Sequence, residues 1–139
     1  MRTLFEIIEH PADVGFLAYG QTFTELLANA ALAMCSLACE LGAIEERERR
    51  DISVTGADQE SLLFAWLAEI LAIADAEQLF FRRVEVSEAG AGLARGVAHG
   101  EKFNQARHRA GTYIKAVTYH QLRVEQTAEG WRARVFLDV

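Results

Sequence analysis

Apolar residues recur along this chain first at every second position, then at every third or fourth, and in the C-terminal half at every second position again. Ile7, Ile8, Val14, Phe16 and Tyr19 predict strands over 3–8 and 14–20, joined by a turn at Pro11 to Asp13. Thr22 followed by Glu25 forms a capping box. Phe23, Leu26, Leu27, Ala30, Ala31, Met34, Leu37 and Ala38 then keep the spacing of an amphipathic helix that closes near Gly42.

Beyond the charged stretch Glu45 to Asp51, Ile52 and Val54 alternate in a short segment before Gly56, which fits an edge strand. Asp58 is placed to cap a second helix, whose apolar stripe is Leu62, Leu63, Trp66, Leu67, Ile70, Leu71 and Ala74. From Leu79 onward strand character returns over 80–86, 93–99, 113–124 and 131–139, broken by Gly90-Ala91-Gly92, Gly100 and Glu129-Gly130. Strands and helices in this order predict an α+β fold, antiparallel sheets with two amphipathic helices packed on one face, rather than a doubly wound parallel sheet.

At 139 residues and 51% hydrophobic content the chain makes one domain, 1–139, with a core large enough to need no disulfide or structural metal. Cys35 and Cys39 share a helix side but lack metal-knuckle or redox spacing, so they read as small buried apolar side chains. Glu6 and Glu9 interrupt the N-terminal segment early, and no apolar run reaches the roughly 20 residues of a membrane span, so a cytoplasmic protein is expected. The net charge of −6 has the wrong sign for a protein that holds nucleic acid by neutralising phosphates. The basic clusters Arg47-Arg49-Arg50, Arg82-Arg83 and Lys102-Arg107-Arg109 stand among acidic neighbours and read as a solvated mixed-charge surface.

Most catalytic signatures are excluded. The run Gly90 to Gly96 has the wrong spacing for a dinucleotide loop and precedes strands, and no phosphate-cradling Gly-Lys-Ser/Thr loop exists. Neither Ser nor Cys sits in a nucleophile elbow, and His10, His99, His108 and His120 lack metalloprotease spacing. Lys115 and His120, five apart in a strand pattern, fall on opposite faces unless a bulge intervenes.

The carboxylates are more informative. In the last strand Trp131, Ala133, Val135, Leu137 and Val139 make one face, so Asp138 on the other is not needed for the core. If the turn at Asp13 lies beside the chain end, the side chains of Asp13 and Asp138 and the terminal carboxylate of Val139 converge, and their repulsion calls for a cation. Oxygen-only donors favour Ca²⁺ or Mg²⁺ over zinc. The alternative for Asp13 is the ordinary one for a turn aspartate, capping backbone N–H groups.

The same positions carry a family resemblance. His10-Pro11-Ala12-Asp13-Val14-Gly15, Ala18-Tyr19-Gly20, Ala30 to Met34, Trp66 to Leu71, the block Gly111-Thr112-Tyr113-Ile114-Lys115-Ala116-Val117-Thr118-Tyr119-His120 and the run Gly130 to Val139 resemble, in order, the blocks of the archease family. The resemblance implies a non-enzymatic accessory protein that promotes guanylylation and multiple turnover of an RtcB-type RNA ligase in tRNA splicing and RNA repair. It also implies a divalent cation, Ca²⁺ in the family, held at Asp13, Asp138 and Val139, and no catalytic residue.

Two departures stand out: Pro11 replaces a common Thr, and Ala68 stands where Asn usually precedes Glu69. Two other classes of function remain open: a small cation-dependent phosphoesterase using Asp13, Asp138 and His120, and a chaperone or modulator of a tRNA methyltransferase.

Overall fold

The computed structural model describes residues 3–9 and 13–139. Strands β1 (Phe5–Glu9) and β2 (Val14–Gly20) precede helix α1 (Phe23–Ala38), and β3 (Glu48–Thr55) precedes helix α2 (Gln59–Glu77). Then follow β4 (Leu79–Gly90), β5 (Leu93–Lys102), β6 (Ala116–Val117), β7 (Arg123–Thr127) and β8 (Gly130–Asp138). One sheet runs β1-β2-β8-β6, with β7 also paired to β8; the other runs β3-β5-β4. All strand pairs are antiparallel, as the α+β reading expects.

Both helices begin at the caps the sequence marks. The Thr22 hydroxyl accepts the Glu25 N–H at 3.1 Å, and Asp58 Oδ1 accepts the Ser61 N–H at 2.7 Å. The Ser61 N–H, with the Ser61 hydroxyl, also holds the Asp58 carboxyl below the usual range. The two helices lie on one face of each sheet: α1 packs on β2 and β4, while α2 packs on β3 and β4 and reaches β6. Sandwiched in this way, α1 buries Leu26, Leu27, Ala30, Ala31, Ala33 and Met34. Trp66 on α2 is fully buried, and its indole N–H donates to the Leu27 carbonyl at 3.1 Å, which ties the helices together. Among the described residues no helix is long and apolar enough to cross a membrane.

The expected strand over 113–124 is two short strands, because the chain leaves the ladder between Val117 and Arg123. Val117 pairs with Leu137 and Arg123 with Arg134, so the loop side carries more residues than the β8 side can match. The excess is ejected as a turn with Gln121 at φ 52, and Tyr119 leaves the sheet to stack on Phe64 at 4.0 Å. Strand β3 also starts earlier than the sequence indicated. Its charged residues belong to the ladder because β3 is an edge, where Arg50 can pair with Glu48 and Glu77.

Cys35 and Cys39 are buried and free, and burial pushes the Cys35 thiol up to about 12. That matches their expected role as inert packing groups.

Candidate metal centre

The β2–β8 register decides where the two aspartates lie. Val14 pairs with Leu137, so Asp13 and Asp138 are the next residues outward on neighbouring strands. Leu137 is fully buried on the helix side. Alternation therefore puts Asp13 and Asp138 together on the outer face, where Asp138 is exposed and Asp13 half-buried. Val139 follows directly, its side chain against the core. On the far side of β8, Asp138 pairs with Ala116, and its carbonyl accepts the Lys115 N–H at 2.8 Å.

Going down the outer face from the aspartates, the next row is Ile8, Gly15, Phe136 and Thr118. Ile8 pairs with Gly15 and Gly15 with Phe136, while the Thr118 hydroxyl donates to the Phe136 carbonyl at 2.9 Å. A Cβ on Gly15 would lie 2.7 Å from the Phe136 ring and 2.8 Å from the Val135 carbonyl oxygen. Gly15 is what lets the ring lie flat across the sheet beside the carboxylates. His120 packs its ring 5.8 Å from that of Phe136 and so stands on the carboxylate side. Lys115 lies just before β6, where its N–H donates to the Asp138 carbonyl, and its side chain is exposed. Both residues lie outside β6, His120 in the turn that follows it, so strand spacing does not govern the pair.

Among the described residues no group of three His, Cys, Asp or Glu side chains is close enough to hold a metal by itself. The donors available at this end are therefore two carboxylates and the main-chain oxygens of Val139. This is an all-oxygen set suited to a hard divalent ion with room for further ligands, so the residues fit Ca²⁺ or Mg²⁺. His10, Pro11 and Ala12, including the Pro11 departure, lie outside the described residues.

Several members of the basic clusters singled out in the sequence are paired with acidic neighbours. Arg47 pairs with Glu45, Arg50 with Glu48 and Glu77, Arg83 with Glu46 and Glu85, and Arg107 with Glu101. Sequence reasoning missed a different cluster, Arg123, Arg132 and Arg134. The hairpin of β7 and β8 collects it on the outer face, and the signal available was the Arg-x-Arg alternation across a turn at Glu129-Gly130.

The model of the Archease protein family (MTH1598/TM1083) matches residues 5–139. The chain belongs to the archease family. The archease of Methanosarcina acetivorans is 40% identical over 97% of this chain and 95% of its own length. The archease of Sulfolobus acidocaldarius is 34% identical over 99% of each. The solution structure of protein 1598 of Methanobacterium thermoautotrophicum superposes with a TM-score of 0.82 at 36% identity, over 98% of this chain and 99% of that one. The crystal structure of an archease from Thermotoga maritima, described as a possible chaperone, shares the fold with a TM-score of 0.65 at 21% identity, over 100% of this chain and 98% of that one.

Proposed function

We propose that this protein is a non-enzymatic cofactor of an RtcB-type RNA ligase, promoting its guanylylation and multiple turnover through a divalent cation held at Asp13, Asp138 and Val139. The observation that carries the reading is the β2–β8 register, which sets Asp13 beside Asp138 on a solvent-facing surface. Two like charges so placed repel in the absence of a compensating cation. When bound, the ion supplies a positive centre with open coordination positions, able to meet an oxygen of the partner. The chain's residues supply the rest. Gly15 and Phe136 flatten the adjoining surface, and the Lys115 N–H to Asp138 carbonyl bond fixes the backbone of the last strand. The test is multiple-turnover ligation by a cognate ligase. Asp13→Ala or Asp138→Ala should abolish stimulation while the circular dichroism spectrum is kept; unchanged stimulation by both variants defeats the reading.

One observation favours a second reading, a cation-dependent phosphoesterase. His120 lies on the carboxylate side, against Phe136, where it could transfer a proton to a leaving group. Turnover of a 2′,3′-cyclic phosphate by the purified protein, lost in His120→Ala, supports it; inactivity without ligase removes it.

A further inference from the structure

The outer face holds a second concave site, about 410 Å³ in volume, lined by Leu17 on β2, Arg123 and Glu125 on β7, and Arg132 and Arg134 on β8. Arg123 and Arg134 are direct cross-strand partners, an arrangement of like charges that destabilises a sheet. Glu125 is shared by Arg132 and Arg123, the latter at 3.2 Å. Arg134 has a single hydrogen-bond partner among the described residues, although Glu125 also feels its charge. Its Nε–H donates to the Gln121 carbonyl at 3.0 Å, which leaves the two terminal nitrogens of its guanidinium without an acceptor. Three arginines thus converge on a single carboxylate, an excess of two positive charges in a protein whose net charge is −6. We propose that this pocket binds a phosphate monoester dianion, with Arg123 and Arg134 as the principal ligands and Arg132 held in reserve by Glu125.

A concave site of this size with two spare charges matches one dianionic group, for which the guanidinium fork is the natural partner. An acidic chain repels an extended polyanion, which argues for a single phosphate rather than a phosphodiester backbone. The pocket lies four residues along β8 from Asp138, about 13 Å at the usual strand rise. It does not depend on the cation reading.

The test uses the full chain, following the arginine Nε–H signals by NMR during titration with inorganic phosphate, with sulfate as control. Phosphate is expected to shift Arg123 and Arg134 and to bind more tightly from pH 5 to pH 7.5, as its second ionisation near 6 completes the dianion. Sulfate, a dianion throughout, cancels any titration of the surrounding Glu6, Tyr19 and Glu125. Arg134→Gln should weaken phosphate binding at least tenfold, Arg134→Lys should restore part of it, and Asp13→Ala should leave it unchanged. Without phosphate, Arg134→Gln should raise the Tm, because it removes one of two facing like charges; a structural role for Arg134 predicts a fall.

A nucleoside 5′-monophosphate and a 5′-phosphorylated RNA hexamer separate the two sources of the group. Equal binding assigns a nucleotide, and tighter binding of the hexamer assigns a strand end. A 5′-hydroxyl hexamer binding as well as the phosphorylated one overturns the proposal, as do shifts scattered away from the pocket or binding unchanged in Arg134→Gln.

Discussion

Glu101 Oε2 accepts the Nε2–H of His108 at 2.9 Å, with both side chains buried at the root of the loop that leads from β5 to β6. His108 Nδ1 accepts the Asn104 N–H at 2.9 Å, which assigns its proton to Nε2. Glu101 also accepts the Glu45 N–H at 2.6 Å and pairs with Arg107. Every strong acceptor in this corner is used, so the loop is pinned from within. Its far end then hangs from α1 through the Gly111 N–H to Ala38 carbonyl bond at 2.8 Å.

The Arg107 guanidinium, with the Glu45 N–H and His108, holds the Glu101 carboxyl down to about 2. A carboxyl depressed in the folded state stabilises the fold above its unfolded value and loses that contribution as pH falls through the folded value. Stability to urea should therefore drop between about pH 4.5 and pH 2 in the wild type. Glu101→Gln should flatten that part of the profile and lower stability at pH 7, since it removes the charge on which Arg107, the Glu45 N–H and His108 converge.

Cation binding should appear as thermal stabilisation. With Ca²⁺ at a hundred times its dissociation constant the gain is about 2.7 kcal/mol, a rise of several degrees in Tm for a domain of this size. Chelation should reverse it. Asp13→Ala and Asp138→Ala should retain the apo Tm, or exceed it slightly through relief of repulsion, and should lose the Ca²⁺ response. Scanning fluorimetry with and without EGTA reads both effects.

Much of this was legible in the chain because local patterns agree with the global fold. Thr22 and Asp58 cap the helices they announce, and the alternation over 131–139 places Asp138 outside the core as observed. The turn at Gln121 was not legible. Residues Tyr113 to Val124 carry strand-forming side chains throughout, and only the register against β8 shows that they are too many for the edge they share. The Arg123–Arg134 pairing was hidden for the same reason, since a hairpin register is a fact of two strands and not of either alone. The Glu101–His108 pair joins the end of β5 to the loop that follows it, but nothing in a polar stretch tells a buried glutamate from a solvated one.

Trp66 offers a test of how the helices are joined. Trp66→Phe keeps most of the buried ring but loses the N–H to Leu27 carbonyl bond and leaves a void. The expected loss is about 1–3 kcal/mol, seen as a lower urea midpoint with an unchanged slope. Trp66→Ala should cost about 3–5 kcal/mol.

Gly15 links the fold to the site. Its missing side chain is where the Phe136 ring lies, and one atom facing the absent Cβ is the Val135 carbonyl oxygen, which belongs to the ladder and cannot swing aside. Gly15→Ala must therefore part β2 from β8 one row away from Asp13 and Asp138. A cost of about 1–3 kcal/mol is expected from overpacking. Because the separation opens toward the carboxylates, the Ca²⁺-induced rise in Tm should shrink as well. Adding Phe136→Leu removes the ring but not the backbone clash, so it should recover only part of the stability. Full recovery in the double variant would show that the ring alone, and not the β2–β8 spacing, carries the strain.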